Sequence, residues 1–573
     1  MSKTGVRFAT VAMPRQQMVL FATCPDELVA QDAEIRVMAD LMEEVDWTPW
    51  ELKYTGYGQP PIHPKYLACT ILFGLLKRMN SSRQLEDAAR KHLDFMWLLE
   101  GFTPDHSTFA KFRMRHDEAL KDLQKQLVHK LVRYKKENVI RMLIDGTRIR
   151  ANCDRQSTRT AGTIEAILKE LEHRMGVLAA NDAQLERDAD MQTYLPGFAV
   201  NESPEETVHQ INKEMKRLQA KLDKYRKALE VAQQRDEQNK AHNGKKARPV
   251  RVPVTDPDAQ VIPNKEGGYA PNYTPVAAVE AETGAILYAD VVNGSNESGA
   301  VLPAVQQMRE SIGQAPEAVL GDGNFAEGEV LAALERETIT AYMPTRSASP
   351  PNNPAQRSDP TTPVPVEDRP HLPKTGGFLA RSAFVFDPEN NCYHCPMGQP
   401  LTRIKNGKYK KNHCTYYQSP NCSGCPLHHE CIKGKSNRRT LVRDEHEHLR
   451  EAADARMATK EGKAIYKTRA PGIEGVFGFI KSAMGIRQFR VRGLKKVRTE
   501  WSWICTAFNL KKLLSTIARH RPGQAPPPQK GPVGTGSQLL NKRPARILRY
   551  QHTLRLPNSH YSLFLQTCAY YSA

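Results

Sequence analysis

The sequence predicts a multidomain α/β protein with a helical N-terminal region, a mixed-sheet domain carrying a helical insert, and a cysteine-rich insertion. Three observations carry this reading: apolar residues at helical spacing through 25–135, strand-like apolar runs alternating with helical stretches from 139 to 343, and two CxxC pairs within residues 392–431. At 573 residues the chain is long enough for three or more domains with cores of their own.

In chain order, 20–135 reads as a helical domain of helix-turn-helix type. Ser81 or Ser82 suits an N-cap, Gly101 a stop, and Thr103-Pro104 the next start. Such hairpins are common in domains that bind nothing, so the pattern alone leaves DNA reading and plain packing both open, and Trp97, Leu98 and Leu99 read as core. The run "LACTILFGLL" at 67–76 is too short to span a membrane and reads as a buried helix. The segment 136–343 opens with the strand "VIRMLIDGTRIRANC" and carries a charged helical insert at about 160–243. There Ile211, Met215, Leu218, Leu222, Tyr225 and Leu229 keep a three-four spacing, as in a helical hairpin or coiled coil. A β-hairpin at 275–294, a helix near 297–312 and a strand at 317–323 complete this part of a mixed sheet. Residues 344–377, rich in Pro, Ser, Asn and Thr, read as a linker. The cysteine-rich insertion spans 378–440, a helical continuation of the core 441–519, and a basic Pro/Gly-rich tail 520–573.

Charge narrows the partner. The formal net charge is +19, and residues 481–549 hold sixteen Lys or Arg against one acid, Glu500, so about +15 lies in that stretch. A concentrated positive surface draws phosphate backbones and releases their counterions, which makes nucleic acid the simplest partner and no membrane the expectation.

Three acids stand out by setting. Asp145 lies inside the apolar strand "RMLIDG" and Asp322 ends "AVLGDG"; a buried aspartate is costly unless it pairs or binds something, although strand-terminal aspartates more often form turns. Glu474 lies in the helical stretch "YKTRAPGIEGVFGFIK", with Lys481 seven residues on, two regular helical turns along one face. Three carboxylates suit hard cations such as Mg²⁺ or Mn²⁺, and phosphodiester chemistry with two ions needs such a set.

With those residues in place, the sequence resembles the DDE transposases of bacterial insertion sequences. The signature is Tyr466, Arg469, Glu474 and Lys481, and "TDPDAQVIPNKEGGYAPNYTPVAAVEAETG", "DVVNGSNESG" and "RGLKKVRTEWSWICTAFNLKKL" also look like family blocks, so the likeness covers roughly 20–515. Four residues separate Arg469 from Glu474, as in the cysteine-bearing members, where the more widespread form has three. The resemblance implies a ribonuclease-H-like catalytic core in which Asp145, Asp322 and Glu474 bind two Mg²⁺ (or Mn²⁺) ions. Arg469 and Lys481 would hold backbone phosphates, and Tyr466 would contact or stack on a terminal base. "GDGNFAEGE" departs from the family's aromatic, glycine-rich form, which leaves Glu327 as a rival second acid. The implied partners are double-stranded DNA, as the element's terminal inverted repeats and the target, with a homodimer or higher assembly acting in the bacterial cytoplasm. Two readings compete with an active transposase: a catalytically inactive or domesticated DNA-binding protein, and a metal-dependent nuclease without strand transfer.

Six of the eleven cysteines lie at 392–431, and two CxxC pairs some 26 residues apart are a zinc-ribbon signal, each pair offering two thiolates to one structural Zn²⁺. Simple pairing takes Cys392, Cys395, Cys422 and Cys425; the resemblance favours Cys395, Cys422, Cys425 and Cys431. His394 and Cys414 are further candidates.

Overall fold

The computed structural model describes residues 24–520, apart from 57, 135–139, 195–203, 245–246, 264–266, 293–296, 346–347, 410–411 and 435. The predicted tail therefore lies outside the described residues, except its first residue, His520.

The N-terminal region is helical throughout. The apolar run becomes α1 (Pro64–Leu76), started by Pro64 at its first turn and by the His63 ring, which accepts the Lys65 N–H at 3.1 Å. Ser81 caps the next helix, Ser82–Lys91, in a reciprocal capping box with Gln84. The chain turns again at Glu100 and Gly101, both at positive φ, and Asp105 rather than Thr103 caps the helix His106–Arg115. Helix α2 (Asp117–Val132) follows. Trp97, Leu98 and Leu99 are buried, as expected.

A mixed sheet forms the centre. Strand β1 (Arg141–Gly146) buries Met142, Leu143 and Ile144 completely because it has a neighbour on each side. Two long helices, α3 (Ala161–Tyr194) and α4 (Pro204–Asn243), leave and return. The pairs Arg226–Glu172 (2.9 Å) and Gln233–Glu165 (3.1 Å) run in opposite directions along the two helices, so they are antiparallel, with Ile164, Leu168, Leu218 and Leu222 between them. Next come β2 (Tyr269–Glu280), β3 (Ile286–Val292), α5 (Val301–Ile312), β4 (Ala318–Leu320), α6 (Gly328–Arg336) and β5 (Thr340–Tyr342). Strand β2 lies antiparallel between β1 and β3, whereas β1, β4 and β5 pair in parallel, giving the order β3-β2-β1-β4-β5.

The cysteine-rich segment is a five-stranded antiparallel sheet in chain order: β6 (Val385–Asp387), β7 (Cys392–His394), β8 (Pro400–Tyr409), β9 (Asn412–Gln418) and β10 (Thr440–Asp444). It has its own core, which also takes in Ala355, Val364 and Leu372 of the Pro-rich stretch. That stretch, read from composition as a linker, is packed where it is described. Arg357 holds it by donating to the carbonyls of Ala355 (3.1 Å), Pro360 (2.8 Å), Thr362 (2.7 Å) and Cys395 (3.0 Å).

After α7 (Lys460–Lys467) the chain reaches the long helix α8 (Leu494–His520), which joins sheet to N-terminal helices. Trp501 donates its indole N–H to the Val276 carbonyl at 3.2 Å, and Trp503 donates to the Arg113 carbonyl at 3.1 Å. The N-terminal helices, the sheet and α8 thus share one apolar core. Within it, His116 stacks on Trp50 at 5.1 Å, and burial pushes its pKa down to about 4. A histidine whose folded pKa lies below its unfolded value contributes stability at neutral pH that is lost as pH falls through about 6.5 to about 4. Unfolding midpoints of the His116→Phe variant across that range should lack this decline.

Candidate active site

Asp145 sits near the end of β1, paired with Ala277 of β2. Its side chain is 17 % exposed, and one carboxylate oxygen accepts the Gly146 N–H at 2.8 Å. Asp322 follows β4, the parallel neighbour of β1, and accepts from the Asn324 backbone N–H at 2.8 Å. Neighbouring parallel strands bring their ends to one edge of the sheet, which is how two acids far apart in sequence meet.

Glu474 reaches this edge by an unusual backbone route. Between α7 and α8 the helix widens twice into π-type turns, Ala470–Glu474 and Phe479–Ala483, with a regular turn Gly475–Gly478 between them. Residues five apart do not share a face of an α-helix, but one wide i→i+5 turn stacks them. Arg469 and Glu474 are five apart, and both act on Asp145. The wide turn accommodates the fourth intervening residue. Pro471, which has no N–H to donate, stands inside it, and Gly472 lets it lie against β1: a Cβ there would come within 2.3 Å of the Leu143 side chain. The same widening means that the step from Glu474 to Lys481 does not complete two regular turns, contrary to the sequence expectation. Lys481 lies half-buried in the second wide turn. That turn is tied to the N-terminal helices by Arg78, which donates to the carbonyls of Ala483 (2.7 Å) and Ser482 (2.9 Å).

Electrostatics gathers these groups. Burial pushes the Asp145 carboxyl up; Arg469 and the Gly146 N–H oppose this, while the charges of Asp322 and Glu474 add to it. Tyr466, on α7, is raised by burial and also lies in the field of Arg469, Asp322 and Asp145. Arg469 is itself buried and pairs with Asp145 at 3.1 Å, so a phosphate-binding role requires it to leave that aspartate. Glu327 stands at the N-cap of α6, whereas Asp322 is the acid whose charge bears on Asp145.

Sequence reasoning missed a fourth acid. Burial, then Asp322 and Asp145, push the Glu297 pKa up to about 7, with Arg148 opposing. Its carboxylate presses on Gly146, where a Cβ would come within 2.3 Å of Oε2. The block "DVVNGSNESG" contains it, but at the cap of the short 3-10 helix Ser298–Ala300, where an acid has no apolar strand to make it conspicuous.

Exposed basic residues border this edge. Arg148 and Arg150 continue the β1 chain, and Arg150 pairs with Gln488 beside exposed Arg487, Arg490, Arg492, Lys495 and Lys496.

In the cysteine-rich sheet, burial raises Cys395, and it pushes Cys431 up to about 12; both also feel the thiolate charge of Cys422 and Cys425. The four cysteines that the resemblance favoured therefore lie in one another's field, while Cys392 turns to His394 at 3.6 Å. Cys414 lies on β9, its thiol donating to the Asn412 carbonyl at 3.5 Å.

A family model described as a transposase DDE domain matches residues 394–514, and one described as a transposase domain (DUF772) matches residues 24–115. These two matches indicate a DDE transposase of the insertion-sequence type. No curated protein and no solved structure matches it. A DDE domain implies a ribonuclease-H-like fold, a DNA substrate and divalent-metal use. Among the described residues, no helix of this transposase is long and apolar enough to cross a membrane.

Proposed function

We propose that the protein binds the ends of its insertion sequence, cuts the DNA there, and joins the released 3′-hydroxyls to target DNA. The observation that carries this is the convergence of Asp145, Asp322 and Glu474 at one sheet edge, from two parallel strands and a wide helical turn.

The donor set fits divalent magnesium or manganese. Every group is a carboxylate oxygen, the charges of Asp322 and Glu474 help to raise Asp145, those of Asp322 and Asp145 help to raise Glu297, and Arg469 and Arg148 are the cations that oppose this. Asp145, Asp322 and Glu474 would hold two ions, which when bound activate the attacking oxygen and stabilise the leaving one in an in-line displacement. Arg469, released from Asp145, would take a phosphate oxygen near the scissile bond, with Lys481 holding the backbone further along. Tyr466, half-buried, would offer its ring to a terminal base. The basic strip around Arg150 and Arg490 would carry the duplex away from the site, and the helix-turn-helix-like helices at the N-terminus would read it.

Glu297 acts in this reading as a positioning acid that fixes the approach of β1 and Asp322 to the cations. Glu297→Gln should raise the Mg²⁺ concentration needed for half-maximal cleavage by roughly 10- to 100-fold, the usual range for outer partners of a metal site. Gly146→Ala, which pushes the Glu297 carboxylate aside, should shift the Mg²⁺ requirement the same way. Cleavage measured across a Mg²⁺ titration checks both; unchanged half-saturation would remove Glu297 from the site.

Cys395, Cys422, Cys425 and Cys431 would hold one structural zinc. Their thiols lie in and against one small core, where burial outweighs the Arg439 charge and keeps Cys431 protonated in the absence of a metal, which fits a metal-thiolate centre. The site would fix the cysteine-rich sheet whose last strand leads into the helix before α7.

The test is cleavage and joining of DNA carrying the element's own ends, in the wild type and in carboxylate variants.

A further inference from the structure

Four thiols account for one group of metal-binding residues in the cysteine-rich sheet, but a second group lies in the β6–β7 hairpin. Asp387 pairs in register with Cys392, and His394 follows two residues later. Two residues apart on one strand, Cys392 and His394 point to the same face, whereas Cys395 leaves from the other. Cys392 Sγ lies 3.6 Å from His394 Nε2, and the same nitrogen lies 3.4 Å from Asp387 Oδ2. Among the described residues this is the trio of His, Cys or acid ligand atoms that all fall within 4.8 Å of one another.

Hydrogen bonding alone satisfies this arrangement poorly. Cys392 and His394 are each 6 % exposed, and His394 Nδ1 is buried with no hydrogen-bond partner. If the ring proton sits on Nε2, one N–H is shared between carboxylate and sulfur, and Nδ1 is a buried acceptor with nothing to accept. If it sits on Nδ1, that N–H is a buried donor without an acceptor, and the Nε2 lone pair faces the carboxylate lone pairs. A cation between the three groups removes the second conflict, because lone pairs from nitrogen, sulfur and oxygen are what it binds.

The spacing fits a particular ion. Around a tetrahedral zinc, with Zn–S about 2.3 Å and Zn–N and Zn–O about 2.0–2.1 Å, sulfur–nitrogen and nitrogen–oxygen separations are about 3.6 and 3.3 Å. The carboxylate is already oriented: Oδ1 accepts the backbone N–H groups of Glu389 (3.0 Å) and Asn390 (3.2 Å) within the hairpin turn, and Oδ2 accepts the Asn390 side-chain amide at 2.8 Å, which leaves it a lone pair for a cation.

We infer that Asp387, Cys392 and His394 form a second zinc site, separate from the four-cysteine centre, which clips the β6–β7 hairpin. Three protein ligands leave the fourth position to water on the side of Asp387, whose side chain is 18 % exposed. Binding releases the Cys392 thiol proton to solvent. The site stiffens the strand that delivers Cys395 to the other centre, and it does not depend on that centre being occupied.

The test is elemental analysis of the full-length protein equilibrated with excess zinc and then desalted. The expected result is two zinc ions per chain, falling to one in His394→Gln and in Asp387→Asn, and falling to the other one in Cys425→Ser. One ion per chain that survives His394→Gln and is lost in Cys425→Ser overturns the inference while leaving the four-cysteine reading intact; one ion with the reverse pattern upholds it and overturns that reading. No zinc in the wild type overturns both. Because a variant can fail to fold, cobalt(II) titration of the wild-type chain provides a second readout. Two equivalents are expected, one with about a quarter of the other's sulfur-to-cobalt absorbance because it has one thiolate rather than four. Saturation at one equivalent contradicts the second site.

Discussion

Asp145→Asn is expected to reduce DNA cleavage about a thousandfold or more while leaving end binding within a few-fold of wild type. The size of the loss follows from the role proposed for the carboxylate: it holds cations whose charge stabilises the transition state, and removing one such contribution costs about 10²–10³ even when a single neutral donor is lost. The structure also separates this loss from unfolding. Asparagine has the shape of aspartate and β1 keeps its pairing with β2 and β4, so the fold survives although the buried Arg469 loses its paired charge. Asp322→Asn should behave alike. A thermal unfolding midpoint within a few degrees of wild type, alongside lost cleavage, is the expected pair of results. Retained cleavage by both variants would remove the two aspartates from catalysis.

Cys425→Ser is expected to release the proposed structural zinc and to unfold the sheet from β8 to β10, beyond the β6–β7 hairpin. The core of that sheet is small, and four of the residues in or packed against it are the thiols themselves. A structural zinc centre in a small unit contributes an apparent free energy of roughly 10–16 kcal/mol, more than such a core supplies alone. The effect should extend further, because β10 runs directly into the helix Glu447–Ala458 and then α7, which bears Tyr466. Limited proteolysis should cut the variant within 378–440 at protease concentrations that leave wild type intact. A metal-free protein that resists proteolysis equally well would contradict the zinc reading.

How much of this was legible depended on whether the deciding physics was local. Asp145 and Asp322 showed in the sequence because an acid in or after an apolar strand is costly to bury without a purpose, and the strands that carry them are parallel neighbours. Glu297 did not show, since its significance comes from a contact with Gly146 that only the sheet edge creates. The wide turns were hidden for a related reason. Apolar residues in 466–481 fit a regular helix, and only the five-residue interval from Arg469 to Glu474, with Pro471 and Gly472 inside it, marks the place where the helix widens. In 344–377 composition misled: many prolines and polar residues suggested a tether, but Ala355, Val364 and Leu372 suffice to dock the chain against the cysteine-rich core. Cysteine spacing alone could not choose between Cys392 and Cys431, because the choice depends on the face from which Cys392 leaves its strand and on the short helix His428–Cys431 that carries its rival.

The most direct test incubates purified protein with labelled DNA bearing the element's own ends and Mg²⁺, beside the Glu474→Gln variant. Cleavage at the ends and joining of the 3′-hydroxyls to target DNA, both lost in the variant, is the predicted result. Metal-dependent cutting and joining that persists in Glu474→Gln would contradict the active site described above.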